Sequence, residues 1–327
     1  MRAASIRISG EISVQCYLRG NGEISDRYHS TGRALLMRTD RPGGTVKLGQ
    51  HEIGRIGYGA MQLRTVDATA AVALLRRAVE LGINHLDTAS FYGNATVNGH
   101  VRAALHPYAD DLVIVSKVGA RHIDAPVELA LAQRPEQLRE QVHLDLRSLG
   151  LDQVPVVNLR RADHGPGLTA EGDQVVPIDD QLAELIALRT EGLIGAIGLS
   201  TVSTEQIQRA LPAGIVCVQN AYSLIDRSSE EQLRLCADHG IAWIPYFPLG
   251  SAFNRIPSPV DHPVVQQMAA RRRLSPAAIC LAWILAHDKH TALIPGTRSV
   301  DHLEENLRTA DVHLDADALA QLDAIAS

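Results

Sequence analysis

From Thr45 onward the hydrophobic positions switch repeatedly between two spacings. Short apolar runs of strand length are followed by longer stretches whose apolar residues recur every three or four positions, the spacing of a helix face. Thr45-Val-Lys-Leu and Ile53-Gly-Arg-Ile, joined by Gly49-Gln-His-Glu, predict a β-hairpin. The pattern then predicts strands at Ile56–Gly59, Asn84–Leu86, Leu112–Ser116, Val154–Leu159, Ile194–Leu199, Ile215–Val218, Ile241–Tyr246 and Leu293–Pro295. The helices that follow them in turn are expected at Ala68–Leu81, Val97–Leu105, Pro135–Leu149, Ile178–Glu191, Thr204–Leu211, Ser229–His239, Ser275–Ala286 and Val300–Ala310. Pro135 suits the first turn of its helix, where a missing N–H costs nothing. A further short helix, Ala316–Ile325, forms a tail.

Eight strand–helix units in about 270 residues predict an α/β fold, a (β/α)8 TIM barrel with an N-terminal β-hairpin and a C-terminal helical tail. The competing architecture, a doubly wound sheet, is disfavoured because no Gly-x-Gly-x-x-Gly follows the first strand. Residues 1–42 are polar, carry scattered Arg and Gly, and show no sustained period. They are expected to be a poorly ordered extension ahead of a barrel domain spanning 43–327, with Met37 as an alternative start of translation.

Composition narrows the function. The chain has 327 residues, 46% of them hydrophobic and 21% charged, which supports a full core and excludes global disorder. Aromatics make up only 4%, so the core must be built from Leu, Ile, Val and Ala. A net charge of −6 argues against nucleic acid as the main partner. Cys16, Cys217, Cys236 and Cys280 show no metal or redox spacing, and Cys217 and Cys280 lie in apolar runs as buried thiols would. No run approaches the length of a membrane span, and the N-terminus lacks an apolar signal core, so a cytoplasmic location without membrane contact is expected. Nothing in the sequence speaks to oligomeric state.

In a barrel of this kind the reactive residues sit at the C-terminal ends of the strands. Asp87, Lys117, Ser200, Gln219 and Tyr246 all fall there. Asp87 and Tyr92 lie five residues apart in Asn84-His-Leu-Asp-Thr-Ala-Ser-Phe-Tyr-Gly93, and Lys117 closes the next strand. A carboxylate, a phenol and an ammonium brought into one pocket can do proton chemistry. The ammonium lowers the pKa of the phenol, and the carboxylate holds the ammonium in place.

These residues resemble the pattern of the aldo-keto reductase family, Asp-Thr-Ala-x-x-Tyr-Gly followed by a strand ending in Ser-Lys. The resemblance runs from about residue 45 to 325. It implies reduction of a small aldehyde or ketone with NADPH, with Tyr92 as proton donor and Lys117 and Asp87 tuning it. The fourth strand departs from the family. Where the pattern has histidine, Val154-Pro-Val-Val-Asn-Leu-Arg-Arg-Ala-Asp163 places Arg160, with Asn158 two residues earlier. Arginine stays protonated and donates in a plane, so Arg160, with Asn158, is expected to orient the substrate or anchor an anionic group. Alternatively Arg160 only closes a salt bridge with a loop acid such as Asp163, and His164 could take the missing histidine role.

The same resemblance assigns the cofactor contacts. Gly59 and Met61 belong to the first strand's end. Ser200, in Gly198-Leu-Ser-Thr201, and Gln219 would bind the nicotinamide carboxamide, with Thr201 in place of the usual Asn. Tyr246 would stack on the nicotinamide, and Leu249 and Ser251 would reach the pyrophosphate. Gly296, Thr297, Arg298 and His302 would face the adenosine phosphate, and Glu305 and Asn306 the adenine. A Gly-Thr turn running into a helix N-terminus offers free N–H groups to an anion, and Arg298 favours a 2′-phosphate, hence NADPH. Gly296 and His302 replace the family's common Lys and Arg. The Gly57-Tyr-Gly-Ala-Met-Gln62 start, Val157-Asn-Leu-Arg160 and Tyr246-Phe-Pro-Leu-Gly250 are most similar to the bacterial branch containing pyridoxal reductases. A second reading is an NADPH-bound sensor or regulatory interaction barrel, like the potassium-channel β-subunits that resemble this family.

Overall fold

The computed structural model describes residues 4–8, 12–18, 24–25, 41–125, 128–163, 167–251 and 256–326. Two units are distinguished, Met1–Arg38 and Thr39–Ser327. In the first, β1 (Ala4–Ile8), β2 (Ile12–Leu18) and β3 (Ile24–Ser25) pair antiparallel in that order, in a segment where the hydrophobic pattern predicts no element. Met37 lies outside the described residues.

The second unit opens on a hairpin of β4 (Thr45–Leu48) and β5 (His51–Gly54). Leu48 pairs with His51, so the turn is the two residues Gly49-Gln50, tighter and earlier than the pattern suggests. Gly49 has φ +63°, a conformation that costs glycine least. After it come β6 (Tyr58–Gly59), α1 (Ala68–Glu80), β7 (His85–Asp87), α2 (Thr96–Leu105) and β8 (Val113–Val118). A small hairpin, β9 (Ala120–His122) with β10 (Leu129–Leu131), precedes α3 (Pro135–Leu149) and β11 (Val154–Arg160). The alternation continues through α4 (Ile178–Thr190), β12 (Ile194–Ser200), α5 (Thr204–Ala210), β13 (Cys217–Gln219), α6 (Glu230–Asp238) and β14 (Ala242–Trp243). The chain ends with α7 (Pro263–Arg272), α8 (Pro276–His287), α9 (Val300–Arg308) and α10 (Ala316–Asp323).

The parallel sheet runs in the order β14-β13-β12-β11-β8-β7-β6. Its eighth position is not the regular strand expected at Leu293–Pro295. Thr291 bridges Trp243 of β14, and Leu293 bridges Ile56 just before β6, so two isolated parallel bridges close the ring. Gly57 N donates to Leu293 O at 2.8 Å, and Leu293 N donates to Arg55 O at 2.7 Å. The Arg55 side chain reinforces this seam by donating to the carbonyls of Thr291 (2.9 Å), Leu285 (2.6 Å) and Asp288 (2.7 Å). The fold is therefore the expected (β/α)8 barrel with its N-terminal hairpin and helical tail.

Alternation along each strand decides what faces inward. Val113, Val115, Val156, Cys217 and Ala292 fill the interior together with Val46, Leu48 and Ile53 of the hairpin, which plugs one end. The outward residues, Leu86 and Ile114 among them, pack against the helix ring. The β9–β10 hairpin and α7 were not legible as periodic runs. Among the described residues no helix is long and apolar enough to cross a membrane, and Cys217, Cys236 and Cys280 are buried free thiols.

Candidate active site

The open end of the barrel gathers the C-terminal residues of the parallel strands. Asp87 ends β7 and Lys117 stands one residue from the end of β8; both are buried. Asp87 Oδ1 accepts from Lys117 Nζ, and Asp87 Oδ2 accepts from Gln219 Nε2 at 2.8 Å. Lys117 Nζ also donates to Thr88 O at 3.2 Å. One carboxylate thus holds a lysine from the neighbouring strand and a glutamine from across the mouth. Burial works against the charge on Lys117, but Asp87, with Tyr92, outweighs it, so the lysine pKa is raised and the ammonium form is secured.

Tyr92 comes to this pair from the β7–α2 loop. Gly93, Asn94 and Ala95 all have φ between +53° and +64°, and this left-handed turn reverses the chain so that the phenol lies back over the mouth. Phe91 supports its ring edge-on at 5.1 Å between centroids. Lys117 Nζ lies 5.2 Å from the centre of the Tyr92 ring. The sequence-level expectation was that Lys117 leaves this phenol with a lowered pKa. The balance falls the other way. Burial raises it, Asp87 adds to the rise, and the opposing pulls of Lys117 and Arg160 do not overcome them. The phenol is therefore held in its protonated form, the state an acid must start from.

A buried network behind the loop fixes its position. Thr88 Oγ1 donates to Asn98 Oδ1 (2.7 Å), Asn98 Nδ2 donates to Asp145 Oδ1 (2.9 Å), and Ser116 Oγ donates to Asp145 Oδ2 (2.7 Å). Burial raises the Asp145 carboxyl from 3.8 to about 7, against hydrogen bonds from Ser116, Asn98 and Ser90 that favour its charge. One layer below Asp87 on the same strand, His85 is wholly buried, and burial pushes it down to about 4. Neither of its ring nitrogens has a partner among the described residues. Gly57 makes room for it, since a Cβ there would sit 2.8 Å from His85 Nδ1. Sequence reasoning passed over Asn98 and Asp145. For His85 the signal was present, because it shares a strand face with Asp87.

The two residues expected to position substrate separate. Asn158 is fully buried inside the barrel, where its Oδ1 accepts from the Cys217 thiol at 3.1 Å. A Cβ on Gly198 would come within 1.9 Å of that oxygen, so Asn158 is packed into the interior and presents nothing to the mouth. Arg160, two residues on, does reach the mouth. Its backbone is locked, because Gln133 Nε2 donates to both Gly119 O (2.6 Å) and Arg160 O (2.9 Å). The salt bridge considered for Arg160 belongs to its neighbour: Arg161 Nη2 meets Asp163 Oδ2 at 2.6 Å. His164 lies outside the described residues.

The residues expected around the cofactor line the same end. Ser200 pairs in register with Gln219, and Thr201 Oγ1 lies 3.4 Å from Ser200 Oγ and 3.3 Å from Tyr246 Oη. Thr201 takes φ +61°, in the position where the family pattern has Asn. Tyr246, Leu249 and Ser251 follow β14, with Ser251 bridging Ile256. Gly59 and Gly296 face each other across the barrel seam, and Gln62, next to Met61, donates to Gly296 O at 3.2 Å. Thr297 is buried, its carbonyl accepting from Tyr58 Oη at 2.6 Å. Arg298 and His302 are exposed, and Glu305 and Asn306 are partly so, on the helix that begins at Val300.

Comparison with known proteins matches residues 55–327 to the aldo/keto reductase family. Pyridoxine 4-dehydrogenase of Escherichia coli is 40% identical over 292 residues, covering 86% of this chain and 98% of that protein. An uncharacterized oxidoreductase of Schizosaccharomyces pombe is 36% identical, covering 86% of this chain and 89% of that protein. Among solved structures, an aldo/keto reductase from Klebsiella pneumoniae in complex with NADP and acetate superposes with a TM-score of 0.72 at 26% identity, covering 86% of this chain and 94% of that one. An aldo-keto reductase from the same organism in complex with NADPH gives 0.73 at 25% identity with the same coverage.

Proposed function

This chain belongs to the aldo/keto reductase family, and from that premise we propose that it reduces a small aldehyde or ketone to the alcohol with NADPH, pyridoxal to pyridoxine being the favoured reaction. The carrying observation is the Asp87–Lys117 pair beside a protonated Tyr92 at the open end of the barrel. The likeness to pyridoxine 4-dehydrogenase supports the choice of substrate.

The residues present fit a dihydronicotinamide carboxamide. Gln219 Oε1 is buried without a partner among the described residues, and Ser200 Oγ finds only a long contact of 3.4 Å. An unused acceptor and an available hydroxyl stand side by side on neighbouring strands, as a planar amide requires. Ser200 and Gln219 would hold that amide and Tyr246 would cover the ring. Leu249, Ser251, Gly296 and Thr297 would follow the pyrophosphate, and Arg298 and His302 would meet the adenosine phosphate. Glu305 and Asn306 would border the adenine, and Gly59 and Met61 would meet the cofactor from the end of the first barrel strand. When bound, NADPH supplies the hydride that the carbonyl carbon receives.

The chain's own contribution is the proton and the charge around it. Tyr92 Oη donates to the carbonyl oxygen and passes its proton as negative charge develops there. Lys117 stabilises the resulting phenolate, and Asp87 keeps Lys117 charged and in place. The test is NADPH oxidation with pyridoxal beside a panel of simple aldehydes and ketones. Tyr92→Phe is expected to lower kcat by at least about 100-fold with NADPH binding retained. Near-native turnover by that variant would overturn the mechanism. Tight NADPH binding without turnover of any carbonyl would favour the sensor reading.

A further inference from the structure

Two adjacent arginines at the end of β11 are treated in opposite ways. Arg161 is saturated: its guanidinium meets Asp163, donates to Val176 O at 2.8 Å, and donates to Gln181 Oε1. Arg160 points to the other side of the strand, into the mouth. Its Nη1 is buried without a partner among the described residues, and no carboxylate there lies within ion-pair distance. Its nearest electrostatic neighbours are the phenols of Tyr92 and Tyr246. Asp87, the acid at the centre of the site, is already committed to Lys117 and Gln219. Lys117 pairs with Asp87 and Arg161 with Asp163, whereas Arg160 pairs with no carboxylate among the described residues.

Keeping that charge in place is costly. Burial disfavours the guanidinium, and although the residue is only partly buried, a cation left without a partner there works against the fold. The structure nevertheless fixes the backbone of this residue. Gln133 fixes the Arg160 carbonyl, and Gln133 is in turn held by Gln181, whose Nε2 donates to Gln133 O (2.7 Å) and Oε1 (3.0 Å). Gly119 (φ +108°) lets the β8–β9 corner approach, since a Cβ there would lie 2.3 Å from Arg160 O. A donor fork on a fixed backbone, with no acceptor among the described residues, is complementary to an anion brought from outside.

We propose that Arg160 selects carbonyl substrates carrying an ionised oxygen beside the carbonyl group, above all aromatic aldehydes with an ortho hydroxyl in its phenolate form. This rests on the reductase reading and refines it. The carbonyl oxygen takes its hydrogen bond from Tyr92, and the neighbouring oxygen takes one from the guanidinium of Arg160. Both oxygens are then satisfied in one plane, and the guanidinium of Arg160 gains a counter-charge. The aldehyde of the pyridoxine-type ring carries such a hydroxyl, so the same geometry accounts for a vitamin-like substrate without any contact to the far side of its ring.

The test compares 2-hydroxybenzaldehyde with benzaldehyde, using NADPH and the whole chain, for the native protein, Arg160→Gln and Arg160→Lys. In the native protein the ratio of kcat/KM for the two aldehydes is expected to rise with pH as the phenol ionises. In Arg160→Gln that ratio should fall by about 10- to 100-fold, the worth of a charge-assisted hydrogen bond, and lose its pH dependence. Arg160→Lys should restore part of it, because it keeps the charge but not the fork. Quenching of protein fluorescence by NADPH reports that each variant is folded. Equal loss on both aldehydes would overturn the selectivity assignment and make Arg160 a group acting on the carbonyl alone. If the native protein binds NADPH and turns over no aldehyde, the reductase reading itself falls, and the selectivity with it.

Discussion

The chemistry at this barrel's mouth depends on one carboxylate with two obligations. Asp87 neutralises Lys117 and accepts from Gln219, so its removal would disturb two strands at once. Replacing Lys117 by Met is expected to cost about 3–5 kcal/mol of stability, because it leaves a buried carboxylate without its cation. The urea midpoint measures this. The double variant Asp87→Asn, Lys117→Met should recover most of that stability while remaining inactive, which separates folding from turnover. A Lys117→Met protein as stable as the native one would mean the pair is not ionised. Asp87, Tyr92 and Lys117 were legible as a motif. The direction of the Tyr92 pKa was not, because it depends on how deeply the loop buries the ring, and burial outweighs the nearby ammonium. Asn158 shows the same limit, since whether it faces the mouth or the interior follows from the tilt and pleat of β11.

At the scale of elements, the loop carrying Tyr92 is held from behind by α2 and α3 through Asn98 and Asp145. Burial pushes the Asp145 carboxyl up from its ordinary 3.8 to about 7. A carboxyl whose folded pKa is raised contributes stability below its unfolded pKa, and that contribution is lost as pH rises through the folded value. Against the upward slope that His85 contributes through its lowered pKa, Asp145 therefore contributes a downward slope of stability with pH between about pH 4 and 7, at most about 1.4 kcal/mol per pH unit as read by urea unfolding. Asp145→Asn should flatten that slope. An unchanged slope would show that Asp145 stays ionised in the folded protein. Helices with strong apolar spacing were predicted nearly residue by residue, as at Pro135–Leu149. The β9–β10 hairpin was missed because its strands have three residues each, too few to show a period.

The whole molecule is closed by a seam between residues far apart in the chain. Ile56 meets Leu293, and Gly59 lies so close to Ile294 that a Cβ would sit 2.5 Å from its carbonyl oxygen. Gly59→Ala must push backbone against backbone, and we expect a loss of about 1–3 kcal/mol, read as a lower urea midpoint with an unchanged m-value. A variant as stable as the native protein would show that the seam can open without cost. What the sequence determined by itself is local and periodic: the number and order of strand–helix units, the inward alternation of each strand, and the chemical types placed at strand ends. Those follow from side-chain volume and polarity acting over a few residues. Tertiary structure alone decided which of these residues meet. The commitment of Asp87 to Lys117 and Gln219, and the guanidinium of Arg160 left without a carboxylate, each depend on distances between residues far apart in the chain. No local pattern encodes such a distance, because it is set by how the closed barrel packs.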